Sequence, residues 1–320
     1  MERIYLDNAA TTPLDPSVLE AMMPYLTTHF GNPSSIYSYG RETRLAIENA
    51  RKKVAALLNT RPSEIFFTSG GTESSNTAIH AAVYDLGCTH IISSQIEHHA
   101  TSHTVEHLNK IGAASLSYVK LLPNGHIDIA DLELLLKNSD KKCLVTLMHA
   151  NNEIGNMIDL HQIGNLCSAY NAIFHSDTVQ TVGHFPFDLK NTPVHFITGA
   201  GHKFHGPKGV GVLYINENIK ITPFVHGGSQ ERNMRAGTEN IIGITGMAVA
   251  LEKAIEQKEE RADHIKKLNR HMRTRLDELA EIVINGTNQI DNILSVSFPS
   301  NERVDMLMFN LDISRISASS

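Results

Sequence analysis

Short apolar runs alternate with helix-like segments along most of the chain, and this alternation restricts the possible folds more than any other feature of the sequence. It is typical of α/β proteins with a largely parallel sheet. Most of the runs end in polar residues, and the carboxyl ends of parallel strands are where an open α/β sheet forms its ligand crevice. The runs predict strands at residues 64–69, 90–94, 143–149, 172–177, 194–199 and 210–215.

Three other segments have the apolar spacing or the charge of helices. Residues 41–59 and 238–260 are predicted helices, and the second carries Ala and Leu at helical spacing. The charged stretch 257–281 predicts a long, solvated helix that leads into a second domain. Because 320 residues with 41% apolar side chains can bury a large core, we expect one large domain and a smaller one.

Charge and hydropathy exclude two classes of partner. The formal net charge is -6, and the lysines and arginines are scattered instead of forming basic tracts, so we expect no nucleic-acid partner. The N-terminus has no basic region followed by an apolar one, and no later stretch is long and apolar enough to cross a bilayer. We therefore expect a cytoplasmic protein with no membrane contact.

Neither the cysteines nor the neighbouring histidines predict a disulfide framework or a metal site. Cys88, Cys143 and Cys167 are few for a chain of this size and lie in segments that look like helix or strand, so we expect buried free thiols in a reducing compartment. His99 and His103 share a helical i, i+4 spacing, but no third ligand is evident, and no metal is expected.

The polar residues at the predicted strand ends form a chemically coherent set. Gly71 and Thr72 follow the first strand at the start of a helix, where amide groups can receive a phosphate, although the same residues also describe a common helix cap. Later strands are followed by an amide, a carboxylate with a second amide, and a lysine. These residues are Asn152, then Asp177 and Gln180, then Lys203.

This combination matches the needs of pyridoxal phosphate. That cofactor requires a lysine for its Schiff base, a carboxylate that keeps its ring nitrogen protonated, and a site for a phosphate dianion. Each residue alone has a simpler explanation, since a lone lysine is normally a solvated surface charge and Asp177 alone fits an N-cap. The combination therefore predicts the site better than any single residue does.

Seven ordered motifs, from residue 5 to about residue 240, resemble the signatures of the cysteine desulfurases, which are fold-type-I pyridoxal phosphate enzymes related to class V aminotransferases. The motifs are "YLDNAATTPLDP", "FGNPSS", "FTSGGTESSN", "MHANNEIG", "HSDTVQTVGH", "GHKFHGPKGVG" and "RAGTEN". The resemblance implies a large α/β domain with a mostly parallel sheet and a smaller α+β domain. It places residues 1–15 with the small domain, 16–258 in the cofactor-binding large domain and 259–320 in the small domain.

The resemblance also implies roles for the residues at the strand ends. Lys203 would form the imine with the cofactor and later move the substrate α-proton. Asp177 would face the pyridine nitrogen, and Gln180 and Asn152 would hydrogen-bond the ring oxygen. His98 would stack on the ring and handle a proton.

The resemblance assigns the phosphate to residues from two subunits. Gly71, Thr72 and His202 would bind it from one chain, and Thr238 would reach it from the other. That arrangement implies a homodimer with its sites at the interface.

The resemblance further implies that L-cysteine is converted to L-alanine while a protein thiolate takes the sulfur as a persulfide, for iron–sulfur clusters or thiolated cofactors. Relatives carry this thiolate in a run similar to S-S-G-S-A-C, and the chain ends at Ser319 and Ser320, which resemble its opening. The arginine that grips the substrate carboxylate also has no counterpart. We expect the chain to be part of a longer one that includes both residues. As it stands, it should be inactive in sulfur transfer to a thiol of its own, whereas the chemistry of Lys203 does not depend on the missing cysteine.

Three functions stay open at this point. The first is a cysteine desulfurase that passes sulfur to an acceptor or to an iron–sulfur scaffold protein. The second is a related pyridoxal phosphate lyase or aminotransferase that releases its product without a protein thiol. The third is a catalytically silent homologue that serves as a scaffold for such partners.

Overall fold

A seven-stranded sheet forms the centre of the molecule in the computed structural model, which describes residues 3–287, 289–300, 304 and 306–320. The strand order is β2-β8-β7-β6-β5-β3-β4, and β8 alone runs antiparallel to its two neighbours. The strands are β2 Ile65–Thr68, β3 His90–Ser93, β4 Ser115–Tyr118, β5 Cys143–Thr146, β6 Ile173–Asp177, β7 Phe196–Ala200 and β8 Gly211–Ile215.

Helices cover both faces of this sheet, as the strand pattern predicts. Successive residues of one strand belong to different apolar clusters. Phe67 belongs to the cluster that includes helices at residues 16–27, 38–57 and 241–256, whereas Phe66 belongs to the cluster that includes helices at residues 71–84 and 99–110. The helices are α1 Pro16–Thr27, α2 Ser38–Leu57, α3 Gly71–Tyr84, α4 His99–Lys110, α5 Ile129–Lys137, α6 Leu160–Ala169, α7 Gln230–Asn233 (one turn, with left-handed backbone angles at Glu231 and Arg232), α8 Ile241–Glu256, α9 Lys258–Leu276 and α10 Leu307–Ile313.

The α/β prediction is confirmed, and all six predicted strands are present, as are the three predicted helices, observed as α2, α8 and α9. The sequence did not predict β4, whose four residues are only half-buried and therefore lack a continuous apolar run. It also misplaced Cys88, which lies in the connection between α3 and β3 and not in a helix or strand. Cys143 on β5 and Cys167 on α6 lie where predicted.

The C-terminal part contains α9, an antiparallel hairpin and a strand that pairs with the N-terminus. The hairpin joins β9 Val283–Asn285 to β10 Ser295–Ser297. Strand β1, Ile4–Tyr5, runs parallel to β11, Ile316–Ser317. The predicted domain boundaries after residues 15 and 258 stay predictions. No helix in the described ranges combines the length and the apolar character needed to cross a membrane.

Candidate active site

The carboxyl ends of the strands surround a cavity of about 210 Å³ that contains eight of the nine predicted site residues. Parallel strands place their carboxyl ends at one edge, which is why motifs more than a hundred residues apart meet there. The predicted residues in its wall are Gly71, Thr72, His98, Asn152, Asp177, Gln180, His202 and Lys203, and Ala10, Ala100, Met148, Val179 and Ala200 complete it.

Lys203 follows β7 on a single 3-10 turn that projects its side chain into the cavity. Its Nζ donates to the backbone carbonyls of Ala9 and Ala10, the second at 3.0 Å. Burial lowers the pKa of the Lys203 amine, and the carboxylates of Asp177 and Asp7 partly oppose that shift. An amine in this environment loses its proton more readily than a surface lysine does, which a nucleophilic lysine requires.

Asp177 is the last residue of β6 and is only 5% exposed. Its Oδ1 accepts a hydrogen bond from the Val179 amide at 2.9 Å. Burial raises the pKa of the Asp177 carboxyl, while the Val179 amide and the positive charges of His98 and Lys203 lower it. The Val179 amide and the two cations therefore favour the ionised carboxylate, with which a cation in the cavity would pair, against the effect of burial.

Two histidines of the cavity wall are held in defined orientations. His98 caps α4, because its Nδ1 accepts from the Ala100 amide at 3.1 Å; that bond leaves Nε2 as the nitrogen free to carry a proton. His202 Nδ1 lies 3.1 Å from Thr11 Oγ1. Burial and the charge of Lys203 lower the pKa of His202 to about 4, so its ring is neutral at pH 7.

The start of α3 is open toward the cavity. Its N-cap, Gly70, has φ 158° and no side chain that could accept from the first amides of the helix. A Cβ at Gly71 would lie 2.7 Å from Cγ2 of Val179, so only glycine allows this close approach. Amides at an uncapped helix start bind anions well, as the sequence predicts for this position.

The two predicted amide side chains are directed toward protein partners in this structure. Gln180, 6% exposed, donates from Nε2 to the Ala9 carbonyl at 2.9 Å. Asn152 donates from Nδ2 to Glu153 Oε1 at 2.5 Å. Both residues line the cavity, and their predicted contact with a ring oxygen stays a prediction.

The N-terminal segment is a part of the site to which the sequence assigned no role. Besides the Ala9 and Ala10 carbonyls, Thr12 is joined to the Lys203 turn: its amide and its hydroxyl both donate to the His202 carbonyl at 2.9 Å, and the His205 amide donates to its Oγ1 at 2.8 Å. The available signal was "LDNAATT", a dense polar motif that precedes the first helix.

Thr238, the ninth predicted residue, lies outside this cavity. It is exposed and lines a separate cavity of about 200 Å³ together with Ser69 and Arg235. Arg235 pairs with Glu73 of α3 (Nε to Oε1, 2.8 Å), which ties the Thr238 segment to the helix that begins at Gly71. Within one chain, Thr238 therefore contributes nothing to the Lys203 cavity.

All three cysteines are buried and unoxidised. Burial raises the pKa of Cys88 and of Cys167 to about 12 and raises that of Cys143 as well. Because the thiolate is the reactive form of cysteine, none of the three is suited to be a nucleophile at neutral pH.

The chain resembles known proteins in both sequence and structure. Residues 4–320 match the family model described as aminotransferase class-V. "Cysteine desulfurase IscS" of Dictyoglomus turgidum is 42% identical over 99% of this chain and 80% of its own length. A solved "NIFS-LIKE PROTEIN" superposes with a TM-score of 0.95 at 38% identity, over 100% of this chain and 88% of its own. "SspA in complex with cysteine" superposes with a TM-score of 0.83 at 30% identity, over 96% and 87% of the two chains.

Proposed function

The chain belongs to the aminotransferase class-V family, and we propose that it is a pyridoxal 5'-phosphate-dependent cysteine desulfurase, which removes the sulfur of L-cysteine and leaves L-alanine. The desulfurase relative at 42% identity and the solved relative in complex with cysteine support the reaction and the substrate. The observation that carries the proposal is the presence of a desolvated lysine and a buried aspartate in one cavity at the strand ends.

The residues of the cavity fit this cofactor. The buried Asp177 carboxylate matches a protonated pyridine nitrogen, Lys203 supplies the amine for the aldehyde, and the uncapped start of α3 suits the phosphate. Gly71 leaves open the space that a Cβ would fill against Val179. When bound, pyridoxal phosphate supplies an electron sink for the α-carbon of an amino acid.

The chain's own groups would bind the cofactor and move the protons. Asp177 would keep the pyridine nitrogen protonated, which requires the carboxyl to be ionised despite its burial; the charges of Lys203 and His98 favour that state. A free Lys203 amine would take the α-proton of the substrate, because burial lowers its pKa and so favours the neutral form. His98 offers Nε2 at the exposed mouth as a second proton donor.

The sulfur step transfers a sulfur atom to a thiolate: the Cβ–S bond of cysteine breaks, an S–S bond forms, and the carbon ends as the methyl group of alanine. The overall reaction converts cysteine and a thiol into alanine and a persulfide, and it is balanced in atoms, protons and electrons. The buried thiols of Cys88, Cys143 and Cys167 are not accessible to a substrate in the cavity. The accepting thiol is therefore another one, and an added small thiol replaces it in an assay.

Product analysis tests this function. The chain is incubated with pyridoxal phosphate, L-cysteine and dithiothreitol, and amino acids, keto acids and sulfide are quantified. We expect alanine and sulfide in equal amounts. Pyruvate and ammonia in place of alanine would indicate the lyase, a keto acid formed only with an acceptor keto acid would indicate the aminotransferase, and no turnover by a protein that binds neither cofactor nor cysteine would indicate the scaffold.

Replacing Asp177 by asparagine should act in opposite directions on turnover and on the stability of the cofactor-free protein. Turnover should fall roughly 10²–10³-fold, because a neutral amide no longer stabilises the protonated ring. Burial raises the folded-state pKa of Asp177 above its unfolded value, so the wild type loses stability as pH rises through that window. Without cofactor, D177N should therefore melt at a higher temperature than the wild type at pH 8.

The matched control is D140N, which removes an exposed carboxylate remote from the cavity and should change neither quantity. Turnover of D177N at the wild-type rate would contradict the role of Asp177.

We further propose a homodimer in which Thr238 of each chain completes the phosphate site of the other. Thr238 is exposed and lies outside the cavity of its own chain, so a contact with the cofactor requires a second copy. The sulfur goes to an acceptor or iron–sulfur scaffold protein. Three free thiols are compatible with a reducing compartment such as the cytoplasm.

A further inference from the structure

Glu97 is a buried carboxyl group that directly precedes His98 and has no role in the mechanism above. It is 8% exposed, and it lies between β3 and α4. Its Oε1 accepts from the Met148 amide at 2.8 Å, but its Oε2 is buried without a hydrogen-bond partner. A buried polar atom in that state is destabilising, so a functional reason for it is expected.

The hydrogen bond to Met148 joins two loops of the site. One loop carries His98 to the cavity wall, and the other, after β5, carries Met148 and Asn152. Asn151 adds a second link between them, because its Nδ2 donates to the Ile96 carbonyl at 2.8 Å. Glu97 therefore sets the distance between the loops that form one side of the cavity.

The surroundings of Glu97 disfavour a negative charge. Glu97 lines a small cavity of about 20 Å³ whose one titratable side chain besides Glu97 is His126, and His126 donates from Nε2 to the Thr287 carbonyl at 2.8 Å. The other charged group that acts on it is Asp177, at the end of β6. Burial and the Asp177 charge raise the pKa of Glu97 well above its usual value.

Two buried carboxyls that interact do not ionise together, and the partner with nearby cations takes the charge. Asp177 has Lys203 and His98, whereas no ion pair joins Glu97 to a basic side chain in the part of the chain that the structure describes. A protonated Glu97 then offers one acceptor, which the Met148 amide uses, and one donor on the oxygen that has no partner in this structure.

We propose that Glu97 is a positioning residue that keeps its proton at working pH: one oxygen holds the Met148 amide, and the protonated oxygen leaves Asp177 as the only negative charge of the pair. The role of Glu97 in catalysis rests on the proposed function, whereas its protonation state is independent of that function. Glutamine has the donor and the acceptor of the protonated acid, so E97Q imitates the proposed state and E97A removes it.

Infrared difference spectra of wild type minus E97Q test directly whether Glu97 is protonated. They are recorded at pH 7.5 on the protein without added cofactor. We expect the carbonyl stretch of a protonated carboxylic acid, lost in E97Q. A carboxylate band in its place, or failure of E97Q to fold while the wild type folds, would overturn the proposal. This measurement determines the protonation state of Glu97 even if the protein proves not to be a desulfurase.

The absorbance of bound pyridoxal phosphate, titrated with pH, tests the effect on the site. E97Q should keep the wild-type midpoint because no charge is removed, whereas E97A should bind the cofactor about tenfold or more weakly because the two loops are released. A shift of the E97Q midpoint by about one unit or more would show that Glu97 is ionised and would overturn the proposal.

Discussion

Alanine formation from L-cysteine should fall by about 10⁴-fold or more when Lys203 is replaced by alanine, because one residue supplies both the nucleophile and the general base. Lys203 is the lysine of the cavity wall, and its desolvated amine lies where the carboxyl ends of the strands meet. The rate is measured with saturating pyridoxal phosphate, so that weaker cofactor binding is not mistaken for loss of chemistry.

K208A is the matched control for this prediction. Lys208 lies on the same glycine-rich loop but is exposed and outside the cavity wall, so its removal should leave the rate unchanged. Equal losses in K203A and K208A would indicate damage to the loop, and a K203A rate within about tenfold of wild type would contradict the assignment of the base.

Replacing Glu231 by glutamine should lower the free energy of unfolding by about 3–5 kcal/mol. The change removes the buried bidentate partner of Arg51 and leaves only Glu48, whose side chain is 43% exposed, within ion-pair distance of it (Nε to Oε1, 3.1 Å). Arg51 is 1% exposed; its two terminal nitrogens each donate to one Glu231 oxygen at 2.8 Å. Glu231 Oε2 also accepts from the Phe67 amide of β2 at 2.8 Å. Chemical denaturation of the cofactor-free protein measures the loss.

This pair matters for the site because Glu231 belongs to the segment that carries Thr238. Glu231, Arg232 and Asn233 have φ values of 45°, 57° and 65°, a left-handed run that is unfavourable for such side chains. The bidentate bond to Arg51 holds the run in place. E231Q is therefore expected also to weaken dimerisation, if Thr238 acts in the neighbouring subunit as proposed.

E217Q is the control for E231Q. Glu217 pairs with Arg61 at the surface, where both side chains are largely solvated, so its loss should cost less than about 1 kcal/mol. Similar losses of stability in the two variants would contradict the claim that burial makes the Arg51 pair important.

The strand-end residues were predictable because each follows a buried apolar run directly. Asp177 ends β6 and Lys203 lies one turn beyond β7, so the topology of a parallel sheet alone brings them together. The sheet itself was predictable for the same reason, since strands buried on both faces read as continuous apolar runs.

Other parts of the site depend on contacts that no local pattern encodes. The Ala9 and Ala10 carbonyls reach Lys203 across more than 190 positions of the chain, through backbone atoms that every residue has. Glu97 looks like any helix-start acid in the sequence, and only its burial sets it apart. Strand β4 was missed because a half-buried edge strand has no apolar run.

Reduction with borohydride tests the central claim, that Lys203 forms the covalent link to pyridoxal phosphate. The cofactor-loaded protein is reduced, digested and mapped by peptide mass spectrometry, with K203A treated in parallel. We predict one pyridoxyl group, on the peptide that contains Lys203, and none in K203A. A colourless protein, or a label spread equally over surface lysines in both proteins, would contradict it.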